Sequence, residues 1–508
     1  MSSLNISGSA QPNTQQPPTA EPERPGPRLG QYRKLLHRFY EPLFLLHTLG
    51  QTRGDHTSHP EDVNDEELHR RRFLRNLAYI CDFGKGGVSC TALGLEDAED
   101  RYKIWVAVNR EDNRVPTFLR AALLSLSRLI NIPEERRELY EREFLNDCVG
   151  FAARRCKDQV ACLRRAIRES QEILERQGEN EDEQFATWLD SLTHHDDHVT
   201  LCQAAYEASR SNYMERLSVQ ADAELRRQGP QGRRSSFAGV RHYVGRLAYR
   251  IRAHRQLIKD AHDMHHILDC EVHPIDKVLS VPQPVPDNRT TMKGVINRML
   301  KKDNPERVEI ERVLLNMDHR DDWFAAFLNE YPRCQPQVHA EIQALEHFYK
   351  NRLRFVDDDR YIACSKPACL CCKLYFQYHP ARMVIPESHQ KVWISWGPPL
   401  VVEFKAGDVE SNRQRDLMIR ITDSIREDAI AQILRSSRPP PWHPDSQTGL
   451  TESVPLQHAN PFSPNEGLIS SSSDFIQPEA EILGNGHATP DDAAGESDSD
   501  SGGVSLYL

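Results

Sequence analysis

His339, Glu341, Cys369 and Cys372 have the side chains and the spacing of a metal site that does chemistry. In a helix each residue turns by about 100°, so Cys369 and Cys372 fall about 60° apart on one face and can ligate one ion. Cys371 lies about 200° round from Cys369 on the same reckoning and points elsewhere. A helix N-terminus offers free N–H groups and the positive end of the helix dipole, which favour thiolate, the form that zinc binds. His339 can supply a third ligand, and three protein ligands leave one tetrahedral position open for water. Glu341 is two residues on, and in mid-helix it would not share a face with His339. In a first turn whose axis is aimed at the metal, the two can straddle the site, with Glu341 beside the water and free to move its proton. Cys364 and Cys371 carry the competing reading. Either one as a fourth ligand would close the site and leave a structural zinc. The chain would then be a non-enzymatic interaction protein whose helices bind a partner.

These residues need two helices flanking a strand. The first helix starts near Val338 and turns Ile342, Leu345 and Phe348 inward; the strand is Arg360–Cys364; the second helix runs from near Ala368 through Phe376. Upstream, Leu68, Phe73, Leu77 and Ile80 give Glu67–Cys81 helical spacing, and Gly84, Gly86 and Gly87 then punctuate the chain. Two β-rich runs, Val88–Leu95 and Tyr102–Asn109, are separated by the polar turn Glu96–Asp100 and read as a hairpin. The second run is apolar almost throughout, which predicts a central strand. From Thr117 to about Tyr331 the pattern is helical almost throughout, with breaks at Gly229-Pro230 and Pro282–Pro286. Val392–Trp396 reads as a last core strand, ended by Gly397-Pro398-Pro399; its Trp393 and Trp396 either pack in the core or stack on a base. A charged helix is predicted over Glu410–Leu434.

His-x-Glu followed by Cys-x-x-Cys, on two helices joined through a strand, resembles the cytidine-deaminase-like superfamily. The form His339-Ala-Glu341 … Cys364-Ser-Lys-Pro-Ala-Cys369-Leu-Cys-Cys372 is similar to the deaminase-like family expanded in filamentous fungi, with relatives among bacterial effectors. Pro367 stands one position earlier than the proline the superfamily usually places before its first cysteine, with Ala368 between. The resemblance implies an α/β fold: a three-layer core with a mixed sheet, built here from two distant segments. Residues 29–112 would supply N-terminal helices, the first core helix and the hairpin, and residues 331–405 the zinc-binding half. A large all-helical insertion (113–330) would separate them, and a C-terminal helix (406–437) would follow. Asn109-Arg-Glu111 is similar to the Asn-x-Glu element with which cytidine deaminases contact the sugar, which makes Asn109 a substrate-binding candidate. The implied reaction is zinc-dependent hydrolytic deamination of a nucleobase in a nucleoside, a nucleotide or a nucleic acid, single-stranded nucleic acid included. Zn2+ is the implied cofactor and Glu341 the proton shuttle.

The bulk properties are compatible with this. The 508 residues are too many for one simple core. Mean hydropathy is -0.64, and Phe118–Ile132, the most apolar stretch, is broken by Arg120 and Arg128, so no membrane helix is expected. The N-terminus lacks the pattern of a secretory signal, so a cytoplasmic or nuclear location is expected. Eight of the 12 cysteines are scattered singly and four crowd into Cys364–Cys372, which in a reducing compartment points to metal or redox chemistry rather than disulfides. A net charge of -11 argues against a nucleic-acid binder that uses its whole surface but leaves room for a local basic groove. The dense basic run holds Arg226, Arg227, Arg233, Arg234, Arg241, Arg246, Arg250, Arg252 and Arg255. It either tracks phosphates or forms the solvated face of the helix whose buried stripe is Val240, Val244, Leu247, Ile251 and Ile258. His262-Asp-Met-His-His266 has two histidines at helical i, i+4 spacing but lacks the glutamate of zinc proteases and reads as a helix face. His194-His-Asp-Asp-His198 reads as a loop or cap. Residues 1–28 and 438–508 are polar, the latter acidic, and are expected to be disordered.

Overall fold

The computed structural model describes residues 30–58, 64–84, 86–110, 112–177, 183–195, 197–228 and 235–435. Both expected disordered tails lie outside the described residues, and so do Glu111, Gly229-Pro230, Arg233 and Arg234. The chain is a mostly helical α/β protein with a four-stranded mixed sheet. The first half of the core comprises α1 (Gln31–Thr48), α2 (Asp65–Ile80), β1 (Thr91–Ala98) and β2 (Arg101–Val108). The helical stretch follows as α3 (Arg114–Asn131), α4 (Glu134–Phe151), α5 (Ala153–Gln177), α6 (Glu183–Ser191), α7 (His198–Ala208), α8 (Tyr213–Gln228), α9 (Ser236–Asp263) and α10 (His265–Leu268). Then come β3 (Glu271–Pro274), α11 (Met292–Met299), α12 (Arg307–Asp321) and α13 (Trp323–Glu330). The second half is α14 (Ala340–Asn351), β4 (Ile362–Cys364), α15 (Leu370–Tyr378) and α16 (Val409–Leu434).

The sheet order is β3-β2-β1-β4. β1 pairs antiparallel with both β2 and β4, and β2 pairs parallel with β3. The Ala92↔Cys364 and Gly94↔Ile362 pairs therefore join the hairpin to the strand between the two motif helices, across the long helical stretch. Alternation along the strands separates two unlike faces. Leu93, Leu95, Ile104, Val106 and Ala363 face a core shared with α2, α3 and α9. Ala92, Ala107 and Ile362 face the core that contains α1, α14, α15 and α16. Small residues on this second face let α14 come close. A Cβ added at Gly94 would sit 2.3 Å from the Phe348 ring, so glycine is what admits that ring. The result is helices, sheet and helices in three layers. A further core, built among α4 to α9 alone, occupies the helical stretch.

Several elements depart from the sequence expectation. The first hairpin strand starts at Thr91 rather than Val88 and runs through Glu96 and Asp97 to Ala98, because Ala98 pairs with Arg101 across a turn of only Glu99 and Asp100. The stretch expected to be all-helical contains β3, which extends the sheet at the β2 edge; a four-residue strand is too short for a periodicity signal and is held by its ladder to β2. Val392–Trp396 is not a strand. It makes isolated contacts, with Trp396 bridged to Gln337 and Lys391 to Thr52, and turns at Ile394 and Ser395. Arg246 and Arg250 are buried, so the basic run is no single solvated face: both guanidinium groups lie over the Tyr79 ring of α2, at 5.9 and 5.5 Å. The histidines of the His262–His266 run are exposed where α9 ends at Met264, and Asp197 caps α7 as expected of its motif.

Candidate metal centre

Two helix N-termini converge on the motif residues. His339 is the N-cap of α14, with extended backbone angles (φ -71, ψ 154), so it stands outside the helix and Glu341 is in its first turn. This removes the angular conflict between residues two apart: the histidine is not subject to the helical rotation. Cys369 is likewise the N-cap of α15 (φ -75, ψ 169), and its sulfur accepts the backbone N–H of Cys372 at 3.5 Å, as a capping serine oxygen would. The pair spacing arises from a cap and the third residue of the helix rather than from two points on a helical face.

His339 Nδ1 lies 3.7 Å from Cys369 Sγ and 3.4 Å from Cys372 Sγ, and the ligand atoms of these three buried residues all lie within 4.8 Å of one another. Zinc–sulfur and zinc–nitrogen bonds of ordinary length at a tetrahedral angle require an N···S separation of about 3.6 Å. The donors therefore fit zinc. Among the described residues this is the only group of three or more such side chains with that geometry; Cys364 and Cys371 are outside it. The electrostatics single out Cys369 as the thiolate of the group. Burial opposes ionisation of Cys369, but the hydrogen bond with Cys372 and the neighbouring His339 outweigh it and bring the thiol down to about 6. Burial drives Cys364, Cys371 and Cys372 well above the ordinary thiol value, and at Cys372 the hydrogen bond with Cys369 and the Cys369 charge add to it. Burial also opposes protonation of His339, yet Cys369 and Glu341 raise its pKa above the usual imidazole value.

Glu341 is buried, and its Oε2 has no hydrogen-bond partner; nor has His339 Nε2. Asn109, the residue after β2, lies at the same place. Its Oδ1 accepts the Ala340 N–H at 2.6 Å, and its Nδ2 donates to Gly87 O at 2.7 Å. The side chain thus ties the hairpin and the glycine turn to the first turn of α14, between His339 and Glu341. The β4–α15 connection is fixed to the same region, with Ser365 Oγ accepting the Thr91 N–H at 3.0 Å. A cavity opens alongside, between α2, α9 and this connection, lined by Tyr79, Tyr249, Tyr361, Cys364, Ser365 and Lys366 among others.

Sequence reasoning missed two groups. Trp396, weighed as a packing or base-stacking residue, is fully buried, and its indole N–H donates to Cys372 Sγ at 3.2 Å. Glu346 is buried on α14 and accepts from Tyr375 Oη at 2.6 Å and from Arg413 Nη1 and Nη2 at 2.8 and 2.9 Å. His379 Nε2 is 3.1 Å from its Oε1 and 2.6 Å from Arg413 Nη1, while His379 Nδ1 accepts the Ala381 N–H. This clasp binds α14, α15 and α16 together behind the ligands. A signal existed for it: Glu346 is four residues after Ile342, on the stripe expected to be buried.

A comparison with curated proteins and one with solved structures each give no match. A family model described as OTT_1508-like deaminase matches residues 338–400, well under half of the chain but spanning all three donor residues and Glu341. No helix among the described residues is long and apolar enough to cross a membrane. Residues 338–400 are similar to a deaminase of a cytidine-deaminase-like family, and they carry a buried His/Cys/Cys group that could hold a metal.

Proposed function

We propose that the protein is a zinc-dependent hydrolytic deaminase acting on the amino group of a nucleobase, with His339, Cys369 and Cys372 as ligands and Glu341 as the proton shuttle. The observation that carries this reading is the unpartnered, buried Oε2 of Glu341 beside a three-donor group with the spacing of a zinc site. A carboxyl oxygen left without a partner in a protein interior costs stability, and such groups persist where chemistry uses them. The placement of Cys364 and Cys371 outside the donor group favours this reading over a structural zinc, which would take a fourth protein ligand.

When bound, zinc supplies the Lewis acidity that makes water a nucleophile near neutral pH. Glu341 accepts the water's proton at Oε2 as the oxygen attacks the amine-bearing ring carbon. It passes that proton to the adjacent ring nitrogen and then moves the remaining hydroxyl proton to the departing amino nitrogen, so that ammonia leaves and a carbonyl is formed on the ring. The two helix N-termini favour the negative charge that gathers here. Asn109 holds the first turn of α14 in register and is the candidate for contact with the substrate's sugar. The test is ammonia release from free nucleosides, nucleotides and single-stranded DNA and RNA, by zinc-loaded full-length protein and by the Glu341→Ala variant. Release that requires both zinc and Glu341 supports the assignment. Release that is indifferent to either one overturns it.

A further inference from the structure

We infer that Trp396 is a positioning residue for the proposed zinc ligand Cys372: its indole N–H orients the sulfur and draws electron density from it. The inference rests on the zinc reading above. An indole N–H can only donate, and when buried it needs an acceptor. Trp396 is completely enclosed, and the acceptor it has is Cys372 Sγ at 3.2 Å. A neutral thiol accepts weakly, so on it this buried donor would be poorly satisfied. On a ligand thiolate the same bond is charge-assisted, and the geometry becomes favourable for both partners. The two candidate ligand sulfurs are then treated alike, since each receives one N–H: Cys369 from the backbone of Cys372, and Cys372 from Trp396.

The donor is held in place by its surroundings. The indole meets Phe39 edge-on at 5.5 Å and Tyr375 at 6.1 Å. Its backbone is bridged to Gln337, and the Gly397 N–H donates to Gln337 O at 2.9 Å. Gln337 is two residues before His339, so the segment carrying the donor is bonded to the segment carrying the histidine. The chain passes Gly397 with no room to shift: a Cβ there would stand 2.0 Å from Ser280 Oγ and 2.6 Å from Pro336 Cβ. A bend of the same type and composition, without this tether, would leave the N–H free to turn from the sulfur.

The test replaces Trp396 in the full chain in two ways: Trp396→Phe, and incorporation at 396 of 3-benzothienylalanine, which keeps the bicyclic shape but has sulfur where the N–H was. Each protein is loaded with cobalt(II), and the thiolate-to-cobalt charge-transfer band is recorded; zinc affinity is measured by chelator competition. Both replacements are expected to move the band to lower energy and to weaken zinc binding by about 10- to 100-fold, the range for losing a partner that supports a ligand. Trp393→Phe, whose N–H goes to His389 Nε2 at 3.4 Å, is expected to change neither. An unchanged band and affinity with the benzothienyl side chain would overturn the inference and reduce Trp396 to packing, whatever Trp396→Phe does to stability. Failure of the unsubstituted protein to bind cobalt or zinc would instead overturn the zinc reading itself.

Discussion

Glu341→Ala separates chemistry from architecture, and the structure fixes the expected size of each effect. The side chain is buried with one carboxyl oxygen unpartnered. Leaving such an atom unsatisfied costs about 1–3 kcal/mol, which the substitution removes. Against that, alanine forfeits burial of one methylene, worth about 0.8 kcal/mol. The chelator-treated variant should therefore match the unsubstituted protein or exceed it by up to about 2 kcal/mol. Turnover on a substrate found by the ammonia screen should fall by about 10²–10⁴, the contribution of a positioned acid–base group. Zinc content should stay stoichiometric, because the donor group does not include Glu341. Urea unfolding, metal analysis and ammonia release measure the three quantities. A destabilisation above about 2 kcal/mol would contradict the burial argument. Loss of zinc would make Glu341 a ligand, and retained turnover would remove it from the reaction.

Other substitutions address the architecture around it. Cys369→Ser should lose zinc and Cys371→Ser keep it, by metal analysis of the purified proteins; the reverse pattern would move the site off the cap of α15. Glu346→Gln should cost about 3–5 kcal/mol in urea unfolding, because Arg413 loses a buried counter-charge. Burial opposes ionisation of Glu346, but the hydrogen bonds from His379 and Arg413 and the Arg413 charge hold its pKa well below the ordinary carboxylate value. Its stabilisation is therefore complete above the unfolded value of about 4.3 and is lost as pH falls toward the folded one. Unfolding measured from neutral pH downward should show a shallower acid loss in Glu346→Gln than in the unsubstituted protein; parallel curves would count against the clasp. Asn109→Ala should destabilise by about 1–3 kcal/mol, since it leaves the Ala340 N–H without its acceptor, and a chelator titration should show weaker zinc binding. No change in either would mean the hairpin does not hold the first turn of α14.

The sequence by itself singled out the three residues whose donor atoms the structure brings together, and the class of element that carries them. The reason is local. His339-Ala-Glu341 and Cys369–Cys372 each lie within one turn of chain, so their spacing constrains geometry without reference to the rest of the fold. Helices with a regular apolar stripe, α2, α9 and α14, were legible for the same reason. Only the tertiary structure decided the rest. That His339 and Cys369 are caps, and not helical residues, depends on where the neighbouring segments release the chain. The short β3 exists because β2 offers it a ladder, and Val392–Trp396, strand-like in composition, is denied one and bends to bring Trp396 onto Cys372. Arg246 and Arg250 look like surface charges in sequence, yet they are buried over the aromatic ring of Tyr79 and near the carboxylate of Asp82, both far away in the chain. Each of these depends on a partner remote in sequence. Periodicity and spacing report only what a residue does to its near neighbours.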